Sequence, residues 1–144
     1  MPAAPAARAR TIAWMFAALD SVEPPIAALA EIDLFHAGEA WAAARRPGAV
    51  DAVRTRLDAL AHWLHGRDWL EDHFSAGDLL MATVLRILRH TDLVDATPVL
   101  AAYLARCEAR PAFVRALAAQ LADFEAHAPT REETSAIGAS AVTE

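Results

Sequence analysis

Cysteine is nearly absent from this sequence. Cys107 is the only one in 144 residues, so no intrachain disulfide can staple the fold, and a reducing compartment is expected. Glycine is sparse at 5 residues, aromatics make up 7%, and no alternating Val/Ile/Thr run marks a strand. Positive charge is in deficit. The 13 basic residues face 19 acidic ones for a net charge of −6, and Arg45-Arg46 is too short for the basic footprint that nucleic acid requires. The N-terminus carries arginines but no apolar core of a secretory signal. No uninterrupted apolar stretch reaches membrane-spanning length. A cytoplasmic protein with neither a nucleic-acid nor a membrane partner is expected.

What the chain does have is alanine, the best helix former, which supplies much of its 56% hydrophobic content. One all-α domain is expected at this length. Its organising stretch is Phe74 to His90. Ser75 is placed as an N-cap, and Asp78, three residues on, can reach back to the Ser75 N–H in a capping box. Phe74 and Leu79 are spaced as a hydrophobic staple. Leu79, Leu80, Met81, Ala82, Val84, Leu85, Ile87 and Leu88 then leave almost no polar face. Such a helix in water must be surrounded by protein. The spacing therefore predicts a buried central helix, about 75–90, in an orthogonal or up-down bundle of five to six helices.

Residues 1–7, with two prolines, are expected to be a linker. From Arg8 to Val22, Ile12, Met15, Phe16, Leu19 and Val22 share a helical stripe. Pro24-Pro25 should end or kink this helix, and Ile26, Leu29 and Ile32 continue an apolar face to about Phe35. Residues 36–48, with Gly38 and Pro47-Gly48, read as a loop. Ala49 to His65 reads as an amphipathic helix on Val50, Val53, Leu57, Leu60, Ala61 and Leu64, closed by Gly66. Thr97-Pro98 starts the next helix, with Leu100, Tyr103, Leu104 and Cys107 inside. Pro111 starts another, carried by Phe113, Leu117, Leu121 and Phe124 to about Glu125. The domain is placed at 8–125. Residues 126–144 are expected to be a mobile tail in which Thr130 and Glu133 could cap one extra turn.

Ser75-Ala76-Gly77-Asp78 resembles the Ser/Thr-x-Ala-Asp capping box that opens the buried helix in the C-terminal domain of cytosolic, bacterial-type glutathione transferases. Trp69-Leu70 and Phe74 resemble the hydrophobic lead-in to that box. Pro98, Leu100, Ala102, Tyr103 and Arg106, then Ala109, Arg110, Pro111 and Phe113, resemble the family's Pro-x-Leu-x-x-Tyr…Arg-Pro-x-Phe run. Arg10 and Trp14 resemble its first helix. Gly77 departs from the family's usual Ala.

The resemblance implies a partner for this domain. In the family a thioredoxin-like N-terminal domain activates the glutathione thiol, and nothing here has its βαβ pattern. The 144 residues begin where the interdomain linker would lie, and are expected to be inactive alone. By the same resemblance, Trp14, Met15, Phe16 and Leu19 would wall the pocket for the electrophile. The ordinary alternative is that Phe16 and Leu19 are core. Asp20 and Glu23, with Ser21 a weaker third, would reach the amine of glutathione, the co-substrate, across a homodimer. The alternative is solvated carboxylates at a helix end.

No residue of this chain is expected to be catalytic. Ser75 and Asp78 are assigned to structure, and Cys107 reads as a small buried hydrophobe. His62, His65 and His73 lack the further ligands of a metal site, so no metal is expected. A non-catalytic protein-interaction module, or a fragment without independent activity, is the competing reading.

Overall fold

Proline punctuates this chain. It opens α1, α5 and α6, where its missing N–H would have no intrahelical partner. The structure, a computed structural model, describes residues 2–127. Thr130, Glu133 and nearly all of the expected tail lie outside the described residues. In order come α1 (Pro5–Phe16), a π-helical turn (Ala17–Val22), α2 (Glu23–Phe35), α3 (Ala40–Leu64), α4 (Ala76–Leu85), a 3₁₀ segment (Arg86–His90), α5 (Pro98–Glu108) and α6 (Pro111–Ala126). No strand occurs among the described residues, and the fold is all-α as expected. The chain divides into two compact units, Met1–Glu108 and Ala109–Glu144.

The first unit is built around α4. Met81, Ala82, Val84 and Leu85 are buried, and Leu88 in the following 3₁₀ segment is buried with them. The 3₁₀ segment tightens the last turns of the expected 75–90 helix. α1 packs on α4, α2 on α3, and α5 on both α3 and α4. The core joins Ala18, Val22, Ile26 and Leu29 from the first helical run to Val53, Leu57, Leu60 and Leu64 of α3, and to Leu100 and Tyr103 of α5. Each such leucine contributes roughly 1.5–3 kcal/mol by leaving water. Enclosure of the central helix has one gap: Leu79 is 48% exposed and Thr83 is exposed.

Three boundaries differ from expectation. α1 begins at Pro5, inside the stretch read as linker, because Pro5 sits where its rigid φ suits a first turn. Pro24-Pro25 does not end the helical run. The turn before it widens, so that the Glu23 N–H donates to the Ala18 carbonyl five residues back. That extra residue per turn accommodates rings that would clash with the carbonyls four residues earlier. Residues 40–48 are not loop but the first turns of α3, with Pro47 inside the helix. The alanine-rich start favours helix, Ala42 is buried, and Arg46 is tied to Asp33 of α2 by Nε–Oδ1 at 2.7 Å and Nη2–Oδ2 at 3.0 Å.

The π-turn has a further consequence. Pro5–Phe35 becomes one helical run of 31 residues, long and apolar enough by length and composition to cross a membrane. A helix ending at Pro24-Pro25, as the sequence predicts, would be too short for that. The run carries Asp20, Glu23, Glu31 and Asp33, and Thr11, Ala18, Val22, Ile26, Leu29, Ala30 and Ile32 are buried.

The second unit is described by α6. None of its residues is fully buried, and Val114, Leu121 and Phe124 are exposed.

Candidate functional site

Two kinds of place carry the polar and apolar groups singled out above. The first is the junction at the start of α4. Ser75 is extended at the N-cap and its Oγ accepts from the Gly77 N–H at 3.1 Å. Asp78 Oδ2 accepts from the Ser75 N–H at 2.8 Å and from the Ser75 hydroxyl at 3.0 Å. Its Oδ1 accepts from the Leu70 N–H at 2.9 Å and from the Tyr103 hydroxyl at 3.1 Å. Asp78 is fully buried, and these four donors satisfy a carboxylate that would otherwise be expensive to enclose. Burial first, and the neighbouring Asp78 charge second, push the Tyr103 hydroxyl far above the ordinary tyrosine range. It is therefore a fixed donor. The junction binds the 67–73 connection, α4 and α5 into one piece, and no side of Asp78 is left open for substrate.

Gly77 lies against α1. A Cβ there would sit 2.7 Å from Trp14 Cβ and 3.3 Å from Ser75 Oγ. The departure from the family's Ala therefore lets the two helices approach closely. Trp14 is half-buried. Its Nε1 donates to Glu71 Oε1 at 3.1 Å, and its ring centroid lies 5.1 Å from that of Trp63. Arg10 Nε donates to the other Glu71 oxygen at 2.5 Å. Glu71 thus ties two residues of α1 to the connection before α4. Sequence reasoning missed it, because partners 57 and 61 residues away leave no local periodicity.

The second place is the outer face of α1 and the π-turn. Ile12, Phe16 and Leu19 are 38%, 67% and 46% exposed, while Met15 is half-buried. The expected stripe is thus rotated over most of its length. Val22 is buried as expected, but the other inward positions are Thr11 and Ala18, and Phe16 and Leu19 are not core. Thr11 is accommodated because its hydroxyl donates to the Ala7 carbonyl at 3.1 Å. Asp20 is exposed beside Leu19, Glu23 is half-buried, and Ser21 is half-buried between them. The geometry brings Phe16 and Leu19 to one open face and turns Trp14 toward Glu71 and Trp63.

His62, His65 and His73 are exposed, and no group of three or more metal-ligating side chains stands together among the described residues. Cys107 is buried on the Tyr103 side of α5.

A buried helix locked by a capping box, with a long first helical run carrying a π-turn packed across its start, defines a helical bundle of the transferase C-terminal type. The model for the glutathione S-transferase C-terminal domain matches residues 34–111, and the chain belongs to that family. A solved glutathione transferase from Burkholderia graminis, with two glutathione molecules bound per subunit, is similar to it at 25% identity and a TM-score of 0.73. That match covers 80% of this chain and 51% of the other. A glutathione transferase from Pseudomonas putida, with one glutathione disulfide bound per subunit, is similar at 21% identity and a TM-score of 0.70, over 80% of this chain and 53% of its own. The latter likeness speaks for the fold alone. The chain spans about half the length of these relatives. Comparison with curated proteins gives no match.

Proposed function

We propose that this domain is the helical half of a glutathione transferase. Met15, Phe16 and Leu19 wall the pocket that holds the electrophile, while Trp14, turned toward Glu71 and Trp63, holds α1 from behind, and the domain supports a homodimer in the cytoplasm. Asp20 and Glu23 are the candidates for reaching a partner subunit's glutathione. The reaction is attack of a glutathione thiolate on the electrophile, and thiol activation belongs to a thioredoxin-like domain. The observation that carries the reading is the exposure of Phe16 and Leu19, because large apolar groups left open on a family domain mark a contact surface. Met and aromatic side chains suit apolar substrates of varied shape.

The test uses chlorodinitrobenzene and glutathione. The 144-residue chain alone is expected to give no conjugation. Joined behind the thioredoxin-like half of the Burkholderia graminis relative, it is expected to support conjugation. In that chimera Phe16→Ser with Leu19→Ser should lower kcat/KM for the electrophile about tenfold, the scale of one or two apolar contacts, with KM for glutathione unchanged. Conjugation by the chain alone, or a chimera indifferent to the double substitution, contradicts the proposal. A chain that instead forms a stable complex with another protein and shows no glutathione dependence in any form would favour an interaction module.

A further inference from the structure

Each of α1 to α5 has at least one buried residue, and α6 has none. Yet α6 is strongly patterned. Val114, Leu117, Leu121 and Phe124 recur at intervals of three, four and three, the spacing of helices that pair along a seam. At roughly 100° per residue these four fall within about 80° of one face. Val114, Leu121 and Phe124 are exposed, and Leu117 is half-buried. Arg115 and Asp123 fall on the far side of the helix, and Glu125 borders the stripe.

The charges of α6 run against its own dipole. Its first turn holds no acidic residue, and Asp123 and Glu125 stand near the C-terminal end, where the dipole is itself negative. A second copy of α6, laid antiparallel, answers both features. With Val114 of one copy against Phe124 of the other, Leu117 falls on Leu121, so the seam is its own complement under a two-fold rotation. The same alignment brings each Glu125 to the height of Phe113 in the other copy. That is the first helical turn, where unpaired backbone N–H groups carry the positive end of the dipole. A parallel copy would set like ends together. The helix has 16 residues, so the seam is only about 24 Å long. Pairing through it is therefore weaker than through an interface of standard size.

We propose that α6 is a self-association surface, on which two copies of this chain pair reversibly through antiparallel α6 helices, with the two-fold axis near Ala119. This stands independently of the transferase reading and of the homodimer proposed there, because it uses no residue of α1.

Sedimentation velocity of the 144-residue chain, over a concentration series under reducing conditions, is expected to show a monomer–dimer equilibrium. Leu121→Ser with Phe124→Ser should weaken it about tenfold or more, the scale of losing apolar anchors at an interface. Phe16→Ser with Leu19→Ser should leave it unchanged. Ala118 is exposed at the edge of the stripe, and antiparallel pairing brings its two copies together beside the axis. Ala118→Glu alone and Ala118→Lys alone should each weaken pairing about threefold, the scale of an exposed like-charge pair. An equimolar mixture of the two should pair at least as well as the unaltered chain. A monomer at every concentration, a dimer indifferent to the Leu121 and Phe124 substitutions, or Ala118 variants that pair no better mixed than alone would each overturn the assignment. A dimer lost instead on substitution of Phe16 and Leu19 would overturn it too, and would place the contact on α1.

Discussion

The start of α4 and the outer face of α1 are neighbours in the same unit, yet they are built on opposite terms. At the first, a fully buried carboxylate has four donors, drawn from the 67–73 connection, the N-cap and α5. At the second, Phe16 and Leu19 are apolar and stand in water. A polar group inside and apolar groups outside both run against simple patterning. They do so for different reasons. Asp78 is tolerated because it is saturated with hydrogen bonds and specifies how three segments meet. Phe16 and Leu19 add little to this domain's own core, and the proposed function gives them a role beyond it.

The sharpest way to break the contrast is at Asp78. Asp78→Ala strands the Leu70 and Ser75 N–H groups and the Tyr103 hydroxyl together, and is expected to destabilise by about 3–5 kcal/mol, since each buried donor left unsatisfied costs about 1–3 kcal/mol. Urea denaturation followed by helical circular dichroism reads this directly. Gly77→Ala comes next. Although alanine favours helix, its Cβ would press on Trp14 Cβ at 2.7 Å, so overpacking of about 1–3 kcal/mol should win. A more stable Ala variant in the same melt would show that α1 can give way.

Smaller still is the Asp33–Arg46 pair that fastens Pro47-containing α3 to α2. The Arg46 guanidinium, with His90 Nε2 3.5 Å from Asp33 Oδ2, holds the Asp33 carboxyl below its ordinary 3.8. A depressed carboxylate contributes stability above the unfolded-state value and loses it as pH falls through the folded one. Arg46→Ala is therefore expected to lower stability by less than about 1 kcal/mol at neutral pH. The gap from wild type should shrink as pH drops below 3.8, which melts at stepped pH would record. A gap constant down to the acid limit would place the effect of Arg46 elsewhere.

How much of this was legible beforehand follows the range of the forces involved. The capping box at Ser75 and Asp78 is a four-residue signal, and the bond between those two residues was readable. The all-α class and the buried residues of α3 and α4 follow from spacing along one helix. The Tyr103–Asp78 bond spans 25 residues and Glu71 acts across 57, so neither leaves a local pattern. The proline positions misled for a related reason. Pro24-Pro25 and Pro47 break an isolated helix, but a π-turn in one case, and a buried Ala42 with an Arg46–Asp33 clasp in the other, carry the helix through. The rotated stripe of α1 is the most instructive difference. Its apolar residues were readable, but which of them turn inward depends on where α4 lies, and Gly77 lets α4 approach beneath Trp14.

The central claim is that the open face of α1 serves contact with something other than this domain's core. Its most direct test is the urea midpoint of the Phe16→Ser, Leu19→Ser double variant, measured on the 144-residue chain. An unchanged midpoint is predicted, within the roughly 0.5 kcal/mol usual for surface substitutions. A fall as large as that of Asp78→Ala would make these residues structural and contradict the account.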